Sequence, residues 1–195
     1  EEILKKKPKK FLAIERDEAL SNNLKKRFNS SVEIINKDVL SIKWEDFLLN
    51  DCLVFGNLPY NISAKLLIDW IRLKDLNKIF KKFILMFQKE VADRIVAEVN
   101  TNKYGRLSIL TDWKMSANKI MDIDKENFFP KPKVKSSLIC FKPKTKFYYF
   151  ENSKNLENVT NIFFQNKRKM IKKPLNILFK DPKKIINHLS LDDRC

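Results

Sequence analysis

Glycine is scarce in this sequence: Gly56 and Gly105 are the only two among 195 residues. No G-x-G pair exists, so the printed sequence lacks the glycine-rich loop that cradles the phosphates or the tail of a bound nucleotide. Cysteine is also rare, since Cys52, Cys140 and Cys195 are widely spaced and form no C-x-x-C pair. These counts argue against a disulfide framework and a zinc site, and we expect no bound metal.

Long apolar runs are missing as well. No run approaches the roughly 20 residues that a membrane-spanning helix needs, and the first residues lack the apolar core of a signal peptide. With 44% hydrophobic residues the chain can nevertheless bury a substantial core. We therefore expect a cytoplasmic protein without membrane association, and a monomer.

Positive charge is abundant, because 40 Lys and Arg residues face 24 Asp and Glu residues, which leaves a formal net charge of +16. A polyanion such as nucleic acid is the natural partner of such a surface. A second interpretation stays open: Lys, Asn, Ile and Phe are all frequent here, as an AT-rich coding sequence would produce. The charge therefore favours a nucleic-acid partner without establishing it.

Short apolar runs alternate with helical patterns along the first part of the chain, which predicts an α/β fold with a parallel sheet. The predicted strands are residues 11–14, 32–35, 52–55 and 83–87, and the predicted helices are 18–28, 89–99 and 105–113. Residues 1–7 resemble the end of a helix. Two further strands, 119–123 and 136–141, would flank the Pro130-Lys131-Pro132 turn and close the sheet as a hairpin-like pair. From residue 155 onward the pattern becomes helical and basic.

The tetrapeptide Asn57-Leu58-Pro59-Tyr60 directly follows the predicted buried strand 52–55 and its neighbour Gly56. In open α/β sheets the chemistry lies just beyond the carboxyl ends of the strands. The Asn57 side-chain oxygen and the Leu58 carbonyl, held by the fixed φ of Pro59, could accept hydrogen bonds from an exocyclic amine. Tyr60 offers a flat face on which a flipped base can stack. This pattern indicates methylation of an amino group such as N6 of adenine.

A purely structural interpretation of the same residues also exists. The tetrapeptide could be an ordinary strand-to-helix turn, in which Asn61 or Ser63 caps a helix that continues to about residue 73.

Two acidic residues follow predicted strands: Glu15 after strand 11–14, and Asp38 after strand 32–35. Both are expected to point into the same crevice at the carboxyl ends of these strands. A carboxylate there can accept hydrogen bonds from ribose hydroxyls, and a second one can accept the adenine amino group. Taken singly, each is an ordinary polar residue at a strand end. Their order before Asn57 favours a site for S-adenosylmethionine.

Across nearly its whole length the chain resembles the KsgA/RsmA family of ribosomal RNA adenine dimethyltransferases. The resemblance rests on seven blocks in the family's order: Ala13-Ile14-Glu15-Arg16-Asp17, Lys37-Asp38-Val39-Leu40, Gly56-Asn57-Leu58-Pro59-Tyr60-Asn61-Ile62-Ser63, Gln88-Lys89-Glu90-Val91-Ala92 with Arg94, Tyr104-Gly105-Arg106-Leu107-Ser108, Phe128-Phe129-Pro130-Lys131-Pro132-Lys133-Val134, and Phe164-Gln165-Asn166-Lys167-Arg168-Lys169.

The resemblance implies a Rossmann-like S-adenosylmethionine-dependent methyltransferase sheet, residues 1–150, with a small basic helical domain, residues 151–195. Glu15 would hold the cofactor ribose, and Asp38, with Val39 beside it, the cofactor adenine. Asn57 would lie between the methyl donor and the target amine, and thus counts as both catalytic and cofactor-binding. Tyr60 and Phe128 would clamp the flipped adenine. The family spacing selects Phe128, while either Phe128 or Phe129 is expected to be core.

The resemblance further implies the substrate: two adjacent adenines in the 3′-terminal hairpin of small-subunit ribosomal RNA, within the pre-assembled small subunit. Five cationic residues on the first helix of the small domain are candidates for phosphate contacts, although a solvated face is the alternative: Lys167, Arg168, Lys169, Lys172 and Lys173. The family's glycine-rich loop is absent, and the sequence has no initiating methionine. We therefore expect a fragment, clipped at both ends.

Two rival functions remain open at this point. One is a macrolide-resistance-type methyltransferase that acts on large-subunit RNA and shares the same pocket. Leu58 and the block from Phe164 to Lys169 favour the small-subunit enzyme over it. The other is a ribosome assembly factor that keeps the methyltransferase fold without catalysis, against which the intact Asn57-Leu58-Pro59-Tyr60 argues.

Overall fold

Strands and helices alternate in the computed structural model of the protein, which describes residues 1–47, 50–165 and 171–192. The expected α/β class is confirmed, because helices alternate with strands along the chain. The strands pair with one another in both parallel and antiparallel directions. The chain divides into two compact units, Glu1–Leu49 and Asn50–Cys195. A boundary at residue 150 stays a prediction.

The first unit is built on two parallel strands, β1 (Leu12–Glu15) and β2 (Glu33–Asn36), joined by helix α1 (Glu18–Phe28). The Asp17 side chain caps α1, because it accepts a hydrogen bond of 2.8 Å from the Leu20 N–H. The parallel register sets Glu15 opposite Asn36, so the two strands end at the same edge. All three elements agree with the sequence-based prediction to within one residue at each end.

The first residues differ from the prediction. They form a single 3₁₀ turn, Leu4–Lys6, rather than the end of a longer helix. Lys7 adopts a left-handed conformation with φ of 49°, and Pro8 follows it. Because a residue before proline is disfavoured in the helical region, the turn ends there.

The second unit contains a four-stranded sheet in the order β3-β4-β6-β5. Its strands are β3 (Cys52–Asn57), β4 (Phe80–Gln88), β5 (Met115–Ile123) and β6 (Ser136–Pro143). Strands β3 and β4 are parallel, whereas β6 pairs antiparallel with both β4 and β5. The predicted closing pair of strands is therefore confirmed, and both strands are longer than predicted.

Four helices accompany this sheet: α2 (Tyr60–Arg72), α3 (Leu76–Ile79), α4 (Lys89–Ile95) and α5 (Arg106–Lys114). The buried positions of α2 recur at helical spacing and form one stripe: Ser63, Leu66, Leu67, Trp70 and Ile71. Helix α4 is shorter than predicted. It ends at Ile95, and Asn100 with φ of 68° lies in the turn-rich segment that follows.

Aromatic side chains form the centre of the core in the second unit. Trp70 of α2 packs against Phe83 of β4 with a centroid distance of 5.0 Å, and Phe83 lies 4.8 Å from Phe80. Phe87 and Phe141 meet edge to face across β4 and β6 at 5.9 Å. All five side chains are at most 1% exposed, so strand β4 is anchored along its length.

Strand β3 is less buried than its apolar sequence predicts. Leu53 and Phe55 are 55% and 51% exposed, whereas Cys52, Val54 and Gly56 alternate with them and are partly buried. The reason is that β3 is an edge strand of the four-stranded sheet and pairs with β4 alone among the described strands.

Three helices form the end of the described chain: α6 (Ser153–Gln165), α7 (Lys172–Leu178) and α8 (Pro182–His188). Helix α6 is attached to α2 by Glu157, which accepts two hydrogen bonds of 2.8 Å from the guanidinium of Arg72. Within the described ranges, no helix combines the length and the apolar character needed to cross a membrane.

Candidate active site

The tetrapeptide Asn57-Leu58-Pro59-Tyr60 forms the turn from β3 into α2. Asn57 is the last residue of β3 and pairs with Met86 of β4, and Tyr60 is the first residue of α2. The Pro59 carbonyl accepts hydrogen bonds from the N–H groups of Ile62 and Ser63. Asn57 therefore stands at the carboxyl end of a parallel strand, where the sequence predicted it.

Two hydrogen-bond acceptors in this turn have no partner within the described part of the chain. The side chain of Asn57 is exposed, and neither it nor the Leu58 carbonyl forms a hydrogen bond with any described residue. Neighbouring acceptors, by contrast, are used inside the first turn of α2. An amide oxygen and a carbonyl oxygen at adjacent residues are thus available to accept hydrogen bonds from an amine.

The structural alternative for this turn is wrong in its details. Asn61 and Ser63 lie inside α2 and cap nothing, because the helix begins at Tyr60 with Pro59 at the N-cap. The Ser63 hydroxyl instead donates to the Tyr60 carbonyl at 3.1 Å.

Gly56 precedes the tetrapeptide at a point of close packing. A Cβ atom on Gly56 would lie 2.9 Å from Leu85 Cδ2 and 3.2 Å from Leu58 Cγ. Leu85 is fully buried, so it has little freedom to move away. The absence of a side chain at Gly56 therefore leaves the space beside the strand that the side chains of Leu85 and Leu58 occupy.

Tyr60 is held by a hydrogen bond that the sequence did not suggest. Its hydroxyl lies 2.6 Å from the hydroxyl oxygen of Ser136, the first residue of β6. Ser136 is completely buried and pairs with Gln88 at the end of β4. Ser136 lies two residues after Val134, the last residue of its sequence block; a small polar residue at the start of an otherwise apolar strand is the only sequence signal that could have singled it out.

Phe128 and Phe129 lie in the loop between β5 and β6. Phe128 is partly buried and follows the 3₁₀ turn Lys125–Asn127, whereas Phe129 is fully exposed. The prediction that one of the two belongs to the core is therefore wrong, because this loop runs outside the sheet. Within the described residues Phe128 contacts no other aromatic ring, and its role as a base contact stays a prediction.

Ion pairs brace the same loop. Lys131 contacts Glu126 at 2.7 Å, and Lys135 contacts Asp124 at 2.6 Å. The hydrogen bond from Lys131 holds the pKa of the Glu126 carboxyl below its usual value. Because all four side chains are more than half exposed, these ion pairs favour the loop conformation only modestly.

A larger ion network joins the start of α4 to the end of β5. Lys89 contacts Asp122 at 2.7 Å, and Lys119 contacts Asp122 at 3.3 Å. Asp93 forms ion pairs with Lys103 at 2.7 Å and with Lys119 at 3.1 Å. Hydrogen bonds from Lys89 and then from Ser137 hold the pKa of Asp122 far below its usual range. This network, named the α4–β5 ion network below, ties together the ends of β4, β5 and β6.

The first unit carries the two carboxylates that the sequence predicted to bind a cofactor. Glu15 ends β1, and its Oε1 accepts a hydrogen bond of 2.8 Å from the Asp17 N–H. Asp38 follows β2; its Oδ1 accepts from the Leu40 N–H at 2.9 Å, and its Oδ2 has only a long contact of 3.8 Å to Arg16. Val39, the other predicted cofactor contact, is partly buried in the turn that Asp38 begins.

The carboxylates of Glu15 and Asp38 form similar hydrogen bonds. In each, one oxygen is oriented by a backbone N–H, while the other makes no short contact within the described residues. The side chain of Asn36 further fixes this edge, because it donates to the carbonyls of Glu15 and Arg16 at 2.9 and 3.1 Å. Sequence reasoning missed Asn36. Within this unit, two acceptors at the ends of neighbouring parallel strands fit the hydroxyl and amino groups of an adenosine.

The predicted basic cluster is only partly described. Lys167, Arg168 and Lys169 lie outside the described residues. Lys172 and Lys173 are exposed at the start of α7, not on the first helix of this region, and neither forms an ion pair with a described residue.

A cavity of about 380 Å³ lies elsewhere in the second unit, between the end of α4 and α5. Its walls include Val96, Tyr104 and Met115. None of the predicted site residues lines it, so the candidate site is an open surface at the strand ends rather than this cavity.

Comparisons with known proteins agree with these features. A sequence model of the ribosomal RNA adenine dimethylase family matches residues 1–193. The Pelagibacter ubique protein named ribosomal RNA small subunit methyltransferase A is 47% identical over 190 residues, which are 97% of this chain and 72% of that protein. The protein of the same name from Ehrlichia chaffeensis is 39% identical over 98% of this chain and 73% of its own length.

Two solved structures are also similar. A dimethyladenosine transferase from Plasmodium falciparum superposes with a TM-score of 0.75 at 28% identity, over 94% of this chain and 68% of that one. The 23S rRNA methyltransferase ErmE superposes with a TM-score of 0.67 over 96% of this chain and 75% of that one, but at 17% identity it supports the fold alone. The extent of the family match and the identity to these relatives show that this chain belongs to the ribosomal RNA adenine dimethylase family.

Proposed function

We propose that this protein transfers methyl groups from S-adenosylmethionine to N6 of two adjacent adenines in the 3′-terminal hairpin of small-subunit ribosomal RNA. The observation that carries the proposal is the pair of adjacent acceptors beside Tyr60, the Asn57 side chain and the Leu58 carbonyl, which form no hydrogen bond with a described residue. Family membership and the two relatives named small subunit methyltransferase A support the choice of substrate.

The chemistry follows from the weakness of the nucleophile. The lone pair on the adenine amino nitrogen is delocalised into the ring, so the amine needs polarising rather than a strong base. Asn57 Oδ1 and the Leu58 carbonyl would each accept one N–H of the amine and concentrate electron density on nitrogen. The fixed φ of Pro59 keeps the two oxygens on the same turn. The sequence's one histidine, His188, is not needed for this step.

Base capture would fall to the aromatic residues. Tyr60 provides a face for stacking a flipped adenine, a contact worth roughly 1–3 kcal/mol per base in single-strand binders. Phe128 would cover the other face, as its place in the Phe-x-Pro-x-Pro-x-Val spacing suggests.

The residues of the first unit fit the adenosine part of the methyl donor. Glu15 would accept the ribose hydroxyls, and Asp38 would accept the adenine amino group with Val39 against the ring. When bound, S-adenosylmethionine supplies an electrophilic methyl group on a positively charged sulfur. The fit rests on the oriented carboxylates, each with one oxygen available. The two glycines of the sequence form no loop for the methionine part.

Phosphate contacts would position the RNA without selecting the base. Lys172 and Lys173 are exposed and unpaired with described residues, and we assign them this role together with Lys167, Arg168 and Lys169. The partner would be the pre-assembled small subunit, since recognition of a structured RNA depends on shape and on unstacked bases. The protein would bind it as a monomer.

The test uses the full-length protein with labelled S-adenosylmethionine and unmethylated small ribosomal subunits. Primer extension and nucleoside analysis then locate the label. Dimethyladenosine at two adjacent positions near the 3′ end is the expected result. Label on large-subunit RNA in a parallel reaction would favour a resistance-type enzyme, and tight subunit binding without label would favour a non-catalytic assembly factor; either outcome contradicts the proposal.

A further inference from the structure

The hydroxyl groups of Tyr60 and Ser136 link the start of α2, just after β3, to the start of β6, a strand that is not adjacent to β3. In the order β3-β4-β6, Tyr60 follows the end of β3 and Ser136 begins β6, so the bond of 2.6 Å spans the carboxyl end of β4. Adjacent strands lie roughly 4.8 Å apart, which a tyrosine side chain can bridge only when it lies across the sheet end. The orientation of the Tyr60 ring is therefore set by Ser136.

Ser136 is more deeply buried than Tyr60. Ser136 is completely buried, and its backbone pairs with Gln88 on one side and Ile123 on the other. Tyr60 is only partly buried, at the first turn of a helix whose N-cap makes no side-chain hydrogen bond. The hydroxyl bond thus links the partly buried Tyr60 ring to a fixed position in the sheet.

We infer that Ser136 is a positioning residue for the methyl-transfer site, which holds the Tyr60 ring in the plane required to stack the target adenine. The inference rests on the proposed function, because it assigns the purpose of the bond to base capture. Ser136 touches neither the base nor the methyl donor and acts through Tyr60 alone. Its chemical requirement is a hydroxyl at residue 136 and a hydroxyl on the ring at residue 60.

The neighbouring residue provides a matched control. Ser137 is equally buried, but it lies on the opposite face of β6, where its hydroxyl donates to Asp122 at 2.7 Å in the α4–β5 ion network. Ser137→Ala removes a buried serine hydroxyl from the same strand without touching Tyr60. A general loss of sheet stability would appear in both variants, and a loss of ring positioning only in Ser136→Ala.

The experiment compares the full-length wild-type protein with Ser136→Ala, Ser136→Thr, Tyr60→Phe, Ser137→Ala and the double variant of Tyr60→Phe with Ser136→Ala. Methylation kinetics are measured on unmethylated small subunits. Stacking is measured by fluorescence of 2-aminopurine placed at the target adenine in a hairpin RNA, and cofactor affinity by calorimetry. Thermal unfolding of each variant reports any loss of folding.

Ser136→Ala is expected to lower kcat/KM for RNA by about 3- to 10-fold, the range set by one hydrogen bond, with cofactor affinity unchanged. It should also weaken quenching of the 2-aminopurine. Ser136→Thr should restore both readouts, and Ser137→Ala should leave both near wild type. Because the two single variants remove the same bond, the double variant should be no worse than either.

Contrary results are equally defined. Wild-type kinetics and quenching in Ser136→Ala, or additive losses in the double variant, would overturn the inference. If Ser136→Ala fails to fold, Tyr60→Phe removes the same hydrogen bond by deleting the tyrosine hydroxyl. The kinetics and quenching of that variant then test the inference. A wild-type protein that does not methylate adenine would instead contradict the proposed function, so the two failures are distinguishable.

Discussion

Arg72 of α2 and Glu157 of α6 form a two-pronged ion pair, in which Nε and Nη2 of the arginine each lie 2.8 Å from a carboxylate oxygen. The Glu157 side chain is only 12% exposed, whereas that of Arg72 is 46% exposed. The hydrogen bond from Arg72 lowers the pKa of Glu157 by more than desolvation raises it. The pair therefore couples the attachment of α6 to pH.

The first prediction concerns this coupling. A carboxyl whose pKa is lower in the folded state stabilises the fold above its ordinary pKa, and the stabilisation is lost as pH falls through the lowered value. Glu157→Gln should cost about 1 kcal/mol of unfolding free energy near neutral pH, between the values for exposed and buried pairs. This loss of unfolding free energy should disappear once the pH falls below the lowered pKa of Glu157. Urea denaturation at several pH values measures it.

Glu151→Gln is the control for that series, because Glu151 is exposed and forms no ion pair with a described residue. A pH-independent cost in Glu157→Gln would contradict the prediction.

The second prediction tests the polarising acceptor. Asn57→Ala removes the side-chain oxygen but no structural hydrogen bond to a described residue, so RNA affinity should stay near wild type. The methylation rate constant should fall about 100-fold or more, as it does when one oriented polar group is removed from a reacting centre. Single-turnover methylation and filter binding separate the two effects. Asn61→Ala, exposed on the first turn of α2, should behave as wild type. Turnover that survives in Asn57→Ala would contradict the mechanism.

The third prediction places the cofactor adenine. Asp38→Ala should raise the S-adenosylmethionine dissociation constant by about 10- to 100-fold, the loss expected for a hydrogen bond to a charged acceptor. Asp38→Asn is a sharper variant, because its oxygen can still accept the Leu40 N–H and keep the turn. Both should weaken binding in calorimetry of the full-length protein. Asp46→Ala, exposed in the same unit, is the control, and equal affinity in all variants would show the assignment to be wrong.

The fourth prediction concerns Gly56. Gly56→Ala places a methyl group 2.9 Å from Leu85 Cδ2, and Leu85 is fully buried. The unfolding free energy should fall by about 1–3 kcal/mol, the usual cost of overpacking. Because Leu58 is also displaced, kcat should fall by more than the loss of folded protein explains. Shortening the neighbour with Leu85→Val should recover part of the stability, and a lack of any recovery would argue against the clash.

The sequence predicted much of the fold because its signals are local. Helix α1 carries its own cap in Asp17, and β2 and β4 are short apolar runs between turn residues. The exposure of Leu53 and Phe55 was not predictable, since periodicity cannot tell an edge strand from a central one. Helix α4 ends at Ile95 although Val99 continues the apolar spacing, because a pattern of apolar residues does not determine where a helix ends.

In the candidate site, too, the residues that local sequence predicts differ from those that depend on the tertiary structure. Asn57, Glu15 and Asp38 were predictable, because each lies at or just beyond the end of a strand that its apolar run predicts. Ser136 was not, since its contact with Tyr60 joins residues 76 positions apart and depends on the strand order β3-β4-β6. The exposure of Phe129 likewise depends on the path of a loop that only the tertiary structure defines.

The α4–β5 ion network changes what the count of 40 Lys and Arg residues means for RNA. Lys89, Lys103 and Lys119 share the two carboxylates of Asp93 and Asp122, so these five groups together bring a net charge of only +1 to a phosphate. Salt dependence of nucleic-acid affinity counts the counterions that are released when free cations meet phosphates. That count therefore depends on lysines such as Lys172 and Lys173, which form no ion pair with a described residue, and it is smaller than the number of Lys and Arg residues suggests.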